Sequence, residues 1–132
     1  MPNGIAKAPQ PSNSDRVLPR LQFYVVFTER VRVSEDAFED LQELLPAHLD
    51  WVAEQEAQGH LFMAGPFRDV AYWEGDGMFI MKTKSLAETE AIAATCPFHN
   101  AGLRTFRVVP WQFNEGSLTL TIRQSAQAAY WS

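Results

Sequence analysis

The sequence predicts an α+β domain: an antiparallel sheet built in the order β-α-β-β-α-β, with two helices on one face and an extra strand near the C-terminal end. Three observations carry this expectation. Residues 21–28 (LQFYVVFT) are β-branched and aromatic, with Leu21, Phe23, Val25 and Phe27 at period two. From Ser34 the apolar period lengthens to that of a helix. After two further short apolar runs, Ser85-Leu-Ala-Glu88 forms a capping box that opens a second helix.

In order, 21–28 is the first strand. Phe38, Leu41, Leu45, Leu49 and Val52 then fall in one helical stripe that Gly59 can stop. Pro46 interrupts the stripe, and a proline within a helix loses a hydrogen bond and crowds the preceding turn. The expectation is a short helix near 35–44, a kink, and the main helix over 46–58. Residues 61–64 (LFMA) form a short strand ended by Gly65-Pro66, 68–76 a polar loop, and 77–83 (GMFIMKT) another strand. The capping box starts a helix over 86–95. Cys96 then takes the N-cap of a mini-helix over 97–101, with Pro97 at its first position and Gly102 at its end. Residues 104–113 (RTFRVVPWQF) give a strand whose Pro110 implies an edge or a bulge. Residues 117–123 alternate Leu118, Leu120 and Ile122 against Thr119, Thr121 and Arg123, as a half-buried strand does.

The chain of 132 residues, 46% hydrophobic and 20% charged, is sized for one globular domain. It reads as a flexible lead-in at 1–20, the domain at 21–124 and a tail at 125–132. The lead-in holds four of the eight prolines and no apolar stretch of the kind a secretory signal needs. No apolar run is long enough to cross a membrane. A lone cysteine forms no internal disulfide, which points to the reducing cytoplasm. The net charge is −5, and residues 33–67 carry eight acids and no Lys or Arg, so nucleic acid is not an expected partner. The acid run is read as a solvated helix face. There is no phosphate-binding glycine loop, serine-nucleophile elbow or paired-carboxylate spacing.

Both faces of the sheet read as apolar. Tyr24 with Val26, Phe79 with Met81, and Val109 with Trp111 stand where a water-facing side would be polar. A second copy of the chain, a small-molecule ligand or both are expected to cover that face. Tyr24, Phe79 and Trp111 are therefore the candidate substrate-binding residues. The other tryptophans, Trp51, Trp73 and Trp131, are read as core or interface anchors.

Pro46-Ala-His48-Leu49, the run from Gln58-Gly59 through Leu61-Phe-Met-Ala-Gly65-Pro66-Phe67, Ser85-Leu-Ala-Glu88, and Cys96-Pro97-Phe98 with Ala101-Gly102-Leu103 together resemble the YCII-related family over about residues 21–113. The resemblance implies a ferredoxin-like fold that pairs through its sheets into a dimeric α/β barrel. It also implies a histidine acid/base, matched by His48, beside an aspartate directly before Pro-Phe, where this chain has Cys96. A thiol at a helix N-terminus near an imidazole is expected to have a lowered pKa and to act as thiolate; the alternative is a cysteine that fills space. His48 and Cys96 are thus the candidate catalytic pair. His60 is read as an exposed linker residue. His99, three residues after Cys96, is weighed as a metal ligand and set aside for want of further ligands, so no metal and no cofactor are expected. The function expected is a cofactor-independent isomerase or lyase acting on a small cyclic or aromatic molecule. The alternative is a non-catalytic small-ligand-binding or assembly module that lost the family aspartate.

Overall fold

The computed structural model describes residues 21–31, 36–69, 72–125 and 128–131; the lead-in at 1–20 lies outside them. The elements are β1 (Leu21–Arg30), α1 (Asp36–Ala57), β2 (Leu61–Asp69), β3 (Tyr72–Met81), α2 (Leu86–Ala94), α3 (Pro97–Asn100), β4 (Arg104–Phe113), β5 (Leu120–Arg123) and β6 (Ala128–Trp131). The first four strands in the order β2-β3-β1-β4, antiparallel at every neighbour, make the ferredoxin-like sheet. β4 is an edge, which is where a strand tolerates Pro110.

Local signals set several boundaries. At the end of α1, Gly59 adopts φ +78°, its N–H donates to the Glu56 carbonyl and the His60 N–H to that of Gln55, a Schellman closure. Ser85 Oγ accepts from the Glu88 N–H, and the Glu88 carboxylate reaches back to the N–H of Lys84. Pro97 opens α3 with Cys96 at the N-cap, although the thiol makes no capping hydrogen bond.

Four expectations need correction. α1 runs unbroken through Pro46. Pro46 and Gln42, whose carbonyl loses its partner, both face solvent, so water can satisfy that group. β2 continues through Gly65-Pro66 to Asp69, and the expected loop is largely strand. β2 is the other edge, and a register shift directly follows Pro66, so its missing N–H interrupts no inner ladder. At its partner Gly77, an added Cβ would stand 2.7 Å from the Gly65 carbonyl oxygen, so this close approach requires glycine. The extra strand does not join the main sheet. β5 pairs only with β6, formed by residues first read as tail, and Leu118, Leu120 and Ile122 are exposed rather than half-buried.

The fourth correction concerns the faces. Val26, Phe79 and Met81 are buried with Ala93 of α2 and packed by Trp51 of α1, so they point to the helices. Cross-strand pairing puts Tyr24 on that side with Met81. Of the six residues assigned to the second face, only Val109 and Trp111 lie there; Tyr24, Val26, Phe79 and Met81 are on the helix side. Trp111 pairs with Phe23, on the face that also carries Val25 and Phe27. β3 is apolar at every position from 78 to 81, so alternation had no polar residue with which to orient it. Phe62 stacks on Phe23 at 5.0 Å because the bulge after Leu61 turns an extra residue to this open side.

Candidate functional site

Between α1 and the β2–β3 hairpin lies a cavity of about 350 Å³, large enough for a single-ring molecule. Leu45, Leu49, Val52, Ala64, Pro66, Phe79 and Phe98 make its walls mostly apolar. His48, Thr28, Arg68, Asp76 and Arg104 supply its polar groups.

His48 comes from the middle of α1, one turn before Val52 of the same wall. Its ring stacks on Phe98 with centroids 4.5 Å apart. Nδ1 lies 3.4 Å from Cys96 Sγ, so the histidine and the residue in the family's aspartate position are brought into contact. Burial, followed by the charge of Arg104 and the neighbourhood of His99, lowers the His48 pKa from 6.5 to about 4. The thiol is fully buried, and burial raises its pKa although the amides of His99 and Phe98 and the Arg104 charge pull the other way. The expected lowered thiol pKa is therefore corrected: with so short a helix and no capping bond, desolvation wins.

Both members of the pair are thus neutral near pH 7, and their proton can sit on either side. With S–H donating to Nδ1, Nε2 carries the ring proton; with Nδ1–H donating to sulfur, Nε2 keeps a lone pair. The first tautomer makes the cavity-facing edge of His48 a donor, the second a base.

A second chain of hydrogen bonds supports the floor. His99 Nδ1 donates to the Ala93 carbonyl at 2.7 Å, which can only accept. Burial holds the ring neutral, so its Nε2 accepts from the Thr28 hydroxyl at 2.8 Å. His99 is thereby engaged in α2–β1 packing. His60 is half-buried rather than an exposed linker: Nδ1 bonds Gln55 Oε1 at 2.9 Å and Nε2 stands 4.0 Å from Glu88.

Of the expected site residues, His48, Cys96 and Phe79 come together, His48 and Phe79 lining the cavity and Cys96 behind the imidazole. Tyr24 and Trp111 do not line it; Tyr24 lies one turn of the pleat beyond Val26, and Trp111 is on the opposite face. Thr28, Asp76 and Arg104 were missed. Arg104 had a readable signal, since it shares period two with Phe106 and Val108 and is thus a charge on an inward-facing row.

This geometry defines a class, the ferredoxin-like α+β domain with a cavity between its helices and its four-stranded sheet. Within that class the chain belongs to the YCII-related family, whose domain model matches residues 23–112. No curated protein matches the sequence. Among solved structures, the chain is similar to 5-chloro-2-hydroxyhydroquinone dehydrochlorinase from Burkholderia phenoliruptrix AC1100, in complex with 2,5-dihydroxybenzoquinone. The TM-score is 0.55 and the identity 18%, over 67% of this chain and 92% of that one, a likeness of fold. Among the described residues no helix is long and apolar enough to cross a membrane.

Proposed function

We propose that the protein is a small cofactor-independent enzyme of the lyase or isomerase type, acting on a hydroxylated aromatic or quinonoid ring bound in the cavity, with His48 moving the proton. One observation carries this reading: a neutral imidazole with one edge in a single-ring apolar cavity and the other tied to Cys96. His48 takes a proton from a ring hydroxyl and returns one to a ring carbon, which is tautomerisation. Where that carbon bears a halide, loss of the halide with its electron pair and of one proton leaves a quinone; the sum is redox-neutral. The structural neighbour, named for a dehydrochlorination of a hydroquinone, supports this chemistry. Cys96 holds the Nδ1 edge of the imidazole in either tautomer, leaving Nε2 toward the cavity, and is a positioning residue rather than a nucleophile.

The same reading makes the protein a cytoplasmic homodimer whose partner covers Trp111, Phe67 and Met63, which are exposed on or beside the open face. The test is to incubate the protein with halogenated and unhalogenated hydroxyhydroquinones and follow quinone absorbance and halide release. Turnover lowered by at least about 10²-fold in His48→Gln is the expected result, and an inert wild-type protein overturns it. A neutral, fully buried Cys96 in the aspartate position favours the rival, a non-catalytic binding module. Binding without turnover decides for that rival. In either case the native thiol should react with iodoacetamide only as fast as the protein opens.

A further inference from the structure

Arg104 is a charged cavity residue that the proton transfer above does not use. It opens β4 on the inward row with Phe106 and Val108, and is 7% exposed. Its guanidinium lies 4.4 Å over the Phe98 ring, and its Nε is buried without a hydrogen-bond partner among the described residues. A buried cation is retained at a cost unless something pairs with it. Against the burial, Cys96 and Asp76 favour the charged form, and Asp76 Oδ1 also accepts the backbone N–H of Arg30 at 2.8 Å. The charged residues lining the cavity are Arg68, Arg104 and Asp76, so with His48 neutral the lining carries one net positive charge.

Shape narrows the ligand further. A guanidinium is a planar fork of donors that matches two oxygens sharing one charge. Phe98 is common to Arg104 and to the His48 ring, so an oxyanion on the first lies within one substituted ring of the second. Resting on the ring-substrate reading above, we propose that Arg104 is the anion-binding residue of the cavity. Its ligand carries a planar, delocalised oxyanion, either a carboxylate or the vinylogous carboxylate of a hydroxyquinone. Arg104 thereby orients the ring so that a hydroxyl meets His48.

Calorimetric titration with matched pairs tests this. The probes are 2,5-dihydroxybenzoquinone against its neutral dimethyl ether, and 2,5-dihydroxybenzoate against its methyl ester. At least one acid should bind about tenfold or more tighter than its neutral partner. Which acid does so tells hydroxyquinone from carboxylate. Arg104→Met should erase the preference while leaving the neutral compound's affinity within about twofold, which also shows that the variant is folded; Arg104→Lys should keep part of it. Equal binding of acid and neutral partner, a preference that survives Arg104→Met, or no binding of either acid overturns the proposal. Tight acid binding without turnover would leave it standing and sink the proton-transfer reading, and turnover of a neutral ring with no acid preference would do the reverse.

Discussion

On the helix-covered face β1 contributes Tyr24, Val26 and Thr28; on the opposite face it contributes Phe23, Val25 and Phe27. Both rows are dominated by apolar residues, yet their tasks differ. The helix-covered row runs from a dry cluster, Val26 with Phe79, Met81 and Ala93, to the polar Thr28 at the cavity. The open row is largely aromatic, Phe23 against Phe62 and Trp111, and Phe27 against Phe67 with Arg107 over its ring, with Val25 between them. Apolar content alone thus does not tell the two faces apart, whereas a polar residue interrupting an inward row marks where chemistry is possible.

The sharpest way to break this contrast is to exchange the sites. His48→Gln should lower turnover of a hydroxylated ring substrate by about 10²–10⁴-fold, the usual worth of a general acid/base. Trp111→Ala should change kcat by less than about threefold in the same assay. The opposite pattern would move the chemistry to the open face.

Stability separates the faces next. Met81→Ala, at a fully buried position, should cost about 2–5 kcal/mol in urea unfolding. Met63→Ala, at an exposed position, should cost under about 1 kcal/mol. Comparable losses would mean that the open side is as well packed as the other.

Acid acts on the helix-covered side. Because the folded pKa of His48 is depressed from 6.5 to about 4, the unfolded chain binds more protons between these values. The contribution is fully present above about pH 6.5, falls as pH drops, and is gone below about 4, up to about 3 kcal/mol in all. His99, also shifted down, acts in the same direction. Chemical denaturation from pH 7 to 4 should show the decline, and His48→Gln should make it shallower but not flat. An unchanged slope in the variant would place the buried proton site elsewhere.

The smallest expected effect concerns the open face. Trp111→Ala should weaken self-association by about 2 kcal/mol, roughly thirtyfold in Kd, as an aromatic anchor does. Light scattering over a dilution series reads this directly, and a wild-type protein that is monomeric at micromolar concentration removes the dimer.

The parts readable in sequence were those with local causes. The Schellman stop at Gly59, the cap at Ser85, Pro97 opening α3 and Pro110 on an edge all depend on a few neighbouring residues. The unbroken α1 and the long β2 were not readable, because a solvated carbonyl near Pro46 and an edge position for Pro66 are set by tertiary structure. Orientation of β3 failed for a related reason, its four consecutive apolar residues being compatible with either face. In the site, the contact between His48 and Cys96 followed from the family pattern, whereas the sign of the thiol shift depended on burial that no spacing reveals. Arg104 was visible as a charge on an inward row, but its neighbours Asp76 and Phe98 are brought to it only by folding.

The register of β1 carries a kinetic consequence. It pairs Thr28 with Gly77 on one side and Leu21 with Phe113 on the other, while β2 and β3 form a hairpin of near neighbours. Long-range pairings of this kind close slowly, after loop entropy has been overcome. The cavity draws Thr28 from β1, His48 from α1, Gly77 from β3 and Arg104 from β4, so its walls come together only when both distant pairings of the first strand have formed. A ligand held there therefore binds the complete fold and no fragment of it, and should slow global unfolding rather than protect one segment from hydrogen exchange.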